Sequence, residues 1–170
     1  MKKVLALVLA LCMLVPFAAM AEGEIKMGQA EYAAHGTKCF AVLTVAMEGD
    51  TIVGAYIDEF QVMSAEDGVV GVPNSDADFG TNFPEGMVLA SKRANAEYYS
   101  ANMAKAGSTV SIDANFDAIE DFVVGKTIAE LEAEIEGKTA EQMIDAVSGC
   151  TLADTLGYVS GLLEAAKAAK

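Results

Sequence analysis

The sequence predicts an α+β domain: a β-hairpin or small antiparallel sheet packed with several short helices, closing on a C-terminal helix after a Ser-Gly-Cys-Thr turn. Three observations carry this. Two β-rich runs flank Glu48-Gly49-Asp50, a tight-turn signal. Two Thr-x-x-Glu/Gln patterns stand before short apolar runs in the second half. From Leu152 onward, aliphatic residues recur at helical spacing almost to the end of the chain.

In chain order, the first residues read as an export signal. Lys2 and Lys3 precede a continuous apolar run, Val4 to Val15, that is short for a transmembrane helix. Pro16 breaks the run, and Ala19-Met20-Ala21 matches an A-x-A cleavage site. Residues 1–21 are therefore expected to be a signal peptide and 22–170 a single domain, exported to the periplasm, the cell surface or the medium. Cys12 suggests a lipid anchor only weakly, because Leu11 stands where such a site wants a small residue.

Glu22 to Gly36 reads as a polar lead-in with few apolar anchors. Lys38–Met47 and Thr51–Val62 are the two hairpin strands; the second alternates between faces only in part. Ser64 to Gly86 is a long irregular segment punctuated by glycine and proline, of the kind that is often functional in compact domains. Met87 to Ala106 reads as a helix stopped by Gly107, and Ser108–Ile112 as a short strand. Asp113 is then placed to cap a helix with the stripe Phe116, Ile119 and Val123. Thr127-Ile128-Ala129-Glu130 and Thr139-Ala140-Glu141-Gln142 are capping boxes that open two further helices.

Charge and cysteine content narrow the function. Losing the signal takes two of the 11 Lys+Arg residues and none of the 25 Asp+Glu, for a mature net charge of −16 (9 − 25). Such a surface repels nucleic acid and anionic membranes, and no second apolar segment is long enough to span a bilayer. Cys39 and Cys150 permit one disulfide, worth about 3–5 kcal/mol if unstrained, or are simply two small buried residues. His35 is the single histidine, which leaves no multi-histidine metal site, and beside Gly36 it reads as exposed and idle. Gly-x-Ser-x-Gly, Cys-x-x-Cys, Gly-x-Gly-x-x-Gly and P-loop motifs are all missing from the sequence.

The remaining signal is Asp145-Ala146-Val147-Ser148-Gly149-Cys150-Thr151. It sets a hydroxyl after a Ser-Gly turn and before a helix, where a phosphate would meet unpaired N–H groups and the positive end of a helix dipole. By spacing alone, Thr151-Leu152-Ala153-Asp154 is also a capping pattern, with Thr151 as the cap and Asp154 reaching back. The stretch resembles the motif of FMN-binding-domain proteins, Asp-x-x-Ser/Thr-Gly-Ala-Thr, with Cys150 in place of the usual Ala. A further likeness, to small exported clostridial-type proteins, lies in Gly71–Asp76 and Ala90–Arg93.

The resemblance implies FMN attached through a phosphoester to Thr151 by a flavin transferase. It implies that Gly149 leaves room for the turn and the phosphate, that Ser148 hydrogen-bonds the phosphate or the turn, and that Asp145 serves transferase recognition. It implies an exported electron carrier more than an enzyme with its own substrate, fed by a membrane-side redox donor. The competing expectation is an exported binding or interaction module without covalent flavin. Lys92 and Arg93 are candidates to neutralise a phosphate or flavin anion, or else form a solvated helix face paired with Glu97. Tyr98 and Tyr99 are candidates to stack on a ring, or else to pack in the core.

Overall fold

The computed structural model describes residues 23–170. The expected signal peptide and its cleavage site lie outside these residues. Among them, four strands run β1 (Ile25–Tyr32), β2 (Cys39–Glu48), β3 (Thr51–Ser64) and β4 (Met87–Ser91), each antiparallel to the next in the order β1-β2-β3-β4. Five helices follow: α1 (Ala96–Lys105), α2 (Ile112–Val123), α3 (Ile128–Ile135), α4 (Ala140–Ala146) and α5 (Thr155–Lys167). The architecture is α+β.

The expected hairpin is β2–β3, closed by Gly49 at φ +59°. Ala41, Leu43, Val45 and Met47 alternate inward on β2. The imperfect alternation of β3 has a cause. Met47 pairs with Ile52 but Ala46 with Gly54, so Val53 bulges out of register. The bulge puts Ile52 on the same face as Ile57 and Glu59, although their spacing is odd.

Two expectations at the sheet edges are corrected. The polar lead-in is β1, whose inward positions opposite β2 are Gly28, Ala30 and Tyr32. Small residues stand there because α5 lies directly on them: a β-carbon on Gly28 would sit 1.9 Å from the Ala165 carbonyl oxygen. The run Met87–Ala106 is not one helix. Met87–Ser91 pairs with the free edge of β3 at Phe60–Ser64, and helix starts only at Ala96. Edge hydrogen bonds there outweigh a helical spacing that Ala90 and Ala94 meet by composition.

The long segment Ser64–Gly86 is irregular, as expected, apart from 3-10 turns at Ala65–Asp67 and Asp78–Gly80. It is tied down by Val72 N–H on the Leu89 carbonyl (2.8 Å) and by the Asn95 side chain, which pairs with both backbone groups of Val70.

Ser108–Ile112 is a loop and the start of α2, not a strand. Ser111, not Asp113, caps α2 by accepting from Ala114 N–H. Both capping boxes are formed, at Thr127/Glu130 and Thr139/Gln142. The helices gather on the inner sheet face. There α5 covers β1 and β2, α2 covers β3, and Phe116, Ile119, Leu131, Met143, Tyr158 and Leu162 are all buried.

Candidate functional site

A cavity of about 530 Å³ opens where the turn before α5 meets α1. That volume lies within the range of about 300–1,000 Å³ of small-molecule sites. Tyr99 and Met103 of α1 form one wall, Ile112 and Tyr158 the floor, and the loop Gly107–Thr109 a rim. Thr151 to Asp154 face them, with His35 at the mouth and Lys92 in the wall.

Thr151 is solvent-exposed and lines this cavity. It does not cap α5, which starts at Thr155 after Asp154. Instead its backbone N–H donates to Oδ1 of Asn115 at 2.7 Å, and its hydroxyl reaches the same oxygen at 3.4 Å. Cys150 is buried; its sulfur lies 3.1 Å from the Thr155 hydroxyl and points away from the cavity. Gly149 turns the chain at φ +88°, a conformation in which any side chain is strained. Ser148 and Gly149 are exposed, and Asp145 is exposed on α4. Of the five residues of the motif singled out as a site, then, Thr151 alone lines the cavity. The others shape the turn that presents it or lie outside the wall.

Glu59, inward on β3, and Lys92, just past β4, form an ion pair with side chains 0% and 1% exposed. The Tyr158 hydroxyl donates to the same Glu59 oxygen at 2.8 Å, while Glu59 Oε1 has no partner among the described residues. The Lys92 ammonium also stands over the Tyr99 ring, 4.5 Å from its centre. Burial opposes the charge on Lys92, but the Glu59 carboxylate outweighs it and holds the ammonium above the ordinary lysine range. Burial, and then Glu59, push the Tyr158 phenol up. Lys92 is thus no solvated partner of Glu97 on a helix face; it is a buried cation in the wall of the cavity.

Arg93 has a different task. Its guanidinium bonds Asp117 at 2.9 Å and also Glu120, while its Nε donates to the Ile57 carbonyl. Glu120 accepts the Ile57 N–H at 2.7 Å. Arg93 and Glu120 together satisfy β3 where β4 no longer covers it. Of the two tyrosines, Tyr99 lines the cavity, and Tyr98 donates outward to Asp67.

His35 is exposed, as expected, but not idle. Its Nδ1 lies 2.5 Å from Oδ2 of Asp154 and ties the β1–β2 connection to the start of α5. Cys39 and Cys150 are both free thiols. Cys39 donates to the His35 carbonyl at 3.3 Å, and burial followed by Glu59 pushes its thiol up to about 11.

Asn115 and Glu59 escape sequence reasoning. The signal for Glu59 is its parity with Ile57, which places an acid on the core face. For Asn115 it is a buried amide within the apolar stripe of α2. No protein-family model, no curated protein and no solved structure matches this chain. Among the described residues, no helix is long and apolar enough to cross a membrane.

Proposed function

We propose that this chain is an exported electron-transfer flavoprotein carrying FMN esterified to Thr151 by a flavin transferase and reduced by a membrane-side redox donor. One observation carries the reading. The hydroxyl that the motif resemblance marks as acceptor stands exposed in the wall of a cavity of about 530 Å³.

The residues present fit the group. Tyr99, Met103, Ile112 and Leu152 offer an apolar, partly aromatic surface to a flat ring. Lys92 places a polar group in the wall, held over the Tyr99 ring with its charge balanced by Glu59. Cys150 replaces the usual alanine without crowding Thr151, because its sulfur is turned into the core. The flavin, when bound, supplies one- and two-electron chemistry; the protein supplies place, orientation and local charge.

The alternative, a binding module without covalent flavin, draws on the same cavity, since its walls and the buried Lys92 are in place whether or not Thr151 is modified. Intact-mass measurement after co-expression with a flavin transferase decides between them. The expected result is a yellow protein heavier by FMN less one water, with the adduct lost in Thr151→Ala. A wild-type chain left unmodified by a transferase shown to be active overturns the proposal, and saturable binding of free FMN to that unmodified chain then supports the alternative.

A further inference from the structure

We propose that Asn115 is the positioning residue that presents the Thr151 hydroxyl to an activated flavin phosphate. The inference rests on the reading of Thr151 as the esterified residue and adds a determinant that lies 36 residues away in sequence.

The Asn115 side chain is completely buried on the first turns of α2, where an amide is a poor choice for helix formation and for packing alike. Every polar position on it is used. Nδ2 donates to the Ser111 carbonyl at 2.8 Å and to the Val110 carbonyl at 3.2 Å. Oδ1 accepts the Thr151 N–H at 2.7 Å and faces the Thr151 hydroxyl at 3.4 Å. This pattern sets the orientation of the amide. Turning it over would aim two N–H groups at the Thr151 N–H and its oxygen at two carbonyls.

The two contacts to Thr151 differ in strength, and the difference matters. The short bond from the backbone N–H pins the residue. The long one from the hydroxyl, at 3.4 Å, is too weak to hold the O–H in place, so the hydroxyl is fixed in position by its backbone yet free to turn its proton toward a base arriving through the cavity. Esterification then forms the Oγ1–P bond and breaks the phosphoanhydride bond of a flavin dinucleotide. The hydroxyl proton passes to a base on the transferase, and the nucleoside monophosphate departs. The O–H contact is lost in that step, and the N–H contact remains to hold the product turn in place. A buried apolar residue at position 115 would satisfy α2 equally well and would leave Thr151 N–H without its acceptor.

The test uses the full chain, a purified flavin transferase and flavin adenine dinucleotide, with flavinylation followed by intact mass. Asn115→Leu keeps the branched heavy-atom skeleton of the side chain, with two somewhat bulkier methyl groups, and removes the clamp. Its expected effect is an initial rate lower by about tenfold to 100-fold, the scale on which a misplacement of about 1 Å acts. The loss is expected in kcat, with KM for the chain unchanged. Ser111→Ala is the control. It removes the α2 cap bond to Ala114 N–H while leaving the Ser111 carbonyl in place, so it lowers stability without touching the clamp, and it should be flavinylated at close to the wild-type rate.

Equal rates for wild type and Asn115→Leu overturn the inference while leaving Thr151 as the acceptor. Equal slowing in Ser111→Ala also overturns it, because the effect would then be one of stability. An unmodified wild type overturns the reading beneath it as well. If Asn115→Leu lacks a cooperative unfolding transition, Asn115→Gln, which keeps the amide but displaces it by a methylene, is read by the same criteria.

Discussion

Glu59 and Lys92 meet across 33 residues of sequence and share a site almost closed to water. Two opposite charges in such a place depend on each other. Removing one leaves the other buried and uncompensated, at a cost of about 3–5 kcal/mol. Lys92→Met is therefore expected to lower the unfolding free energy by that amount in urea titrations. Adding Glu59→Gln should recover more than half of the loss, since the amide carries no charge and still accepts from the Tyr158 hydroxyl. A double variant no more stable than Lys92→Met would show that the pair is not the source of the loss. Neither residue announces this role in the sequence. Lys92 sits in a run whose composition suits a helix, and its partner is identified only once β3 and β4 are paired.

At the level of elements, the placement of α5 governs what the sheet accepts. Its backbone rests on β1 at Gly28, and Gly157 leaves room for the Ala34 carbonyl, 2.8 Å from where a β-carbon would stand. Gly28→Ala would place its β-carbon 1.9 Å from the Ala165 carbonyl oxygen, so the helix must lift from the sheet. The expected cost is about 2–3 kcal/mol, seen as a lower midpoint in thermal denaturation. Gly54→Ala is the internal control. It lies in the same sheet, where the added β-carbon would find only Ala46 Cβ at 3.7 Å, an ordinary contact. Comparable losses at both positions would count against close helix–sheet contact as the reason for Gly28. The same geometry explains why β1 is hard to read in the sequence. A strand whose inward positions are Gly28, Ala30 and Tyr32 carries almost no hydrophobic alternation. The capped helices α3 and α4 are legible because a capping box is complete within four consecutive residues.

Across the whole molecule, the excess of acid is a standing repulsion. At a formal net charge of −14 over the full sequence, the 25 carboxylates outnumber the 11 cations that could pair with them. Two cations, Lys92 and Arg93, are already committed to internal carboxylates. Screening by salt is therefore expected to stabilise the fold. Raising sodium chloride from about 10 mM to about 300 mM should add roughly 1 kcal/mol, about 3 °C in the unfolding midpoint for a chain of this size. A midpoint that falls with salt would mean that exposed pairs such as Lys167–Glu132 outweigh the net repulsion.

By itself the sequence determined the class of the fold, the β2–β3 hairpin, the two capping boxes, the run of short helices and the turn that carries Thr151. Each of these is written within a few consecutive residues, because a turn, a cap or an amphipathic stripe is satisfied by near neighbours. Tertiary structure alone decided the two edge strands, the burial of Lys92, the tie between His35 and Asp154 and the clamp of Asn115 on Thr151. The last three join groups 33 to 119 residues apart, and a hydrogen bond or ion pair of that span exists only after the elements have packed together.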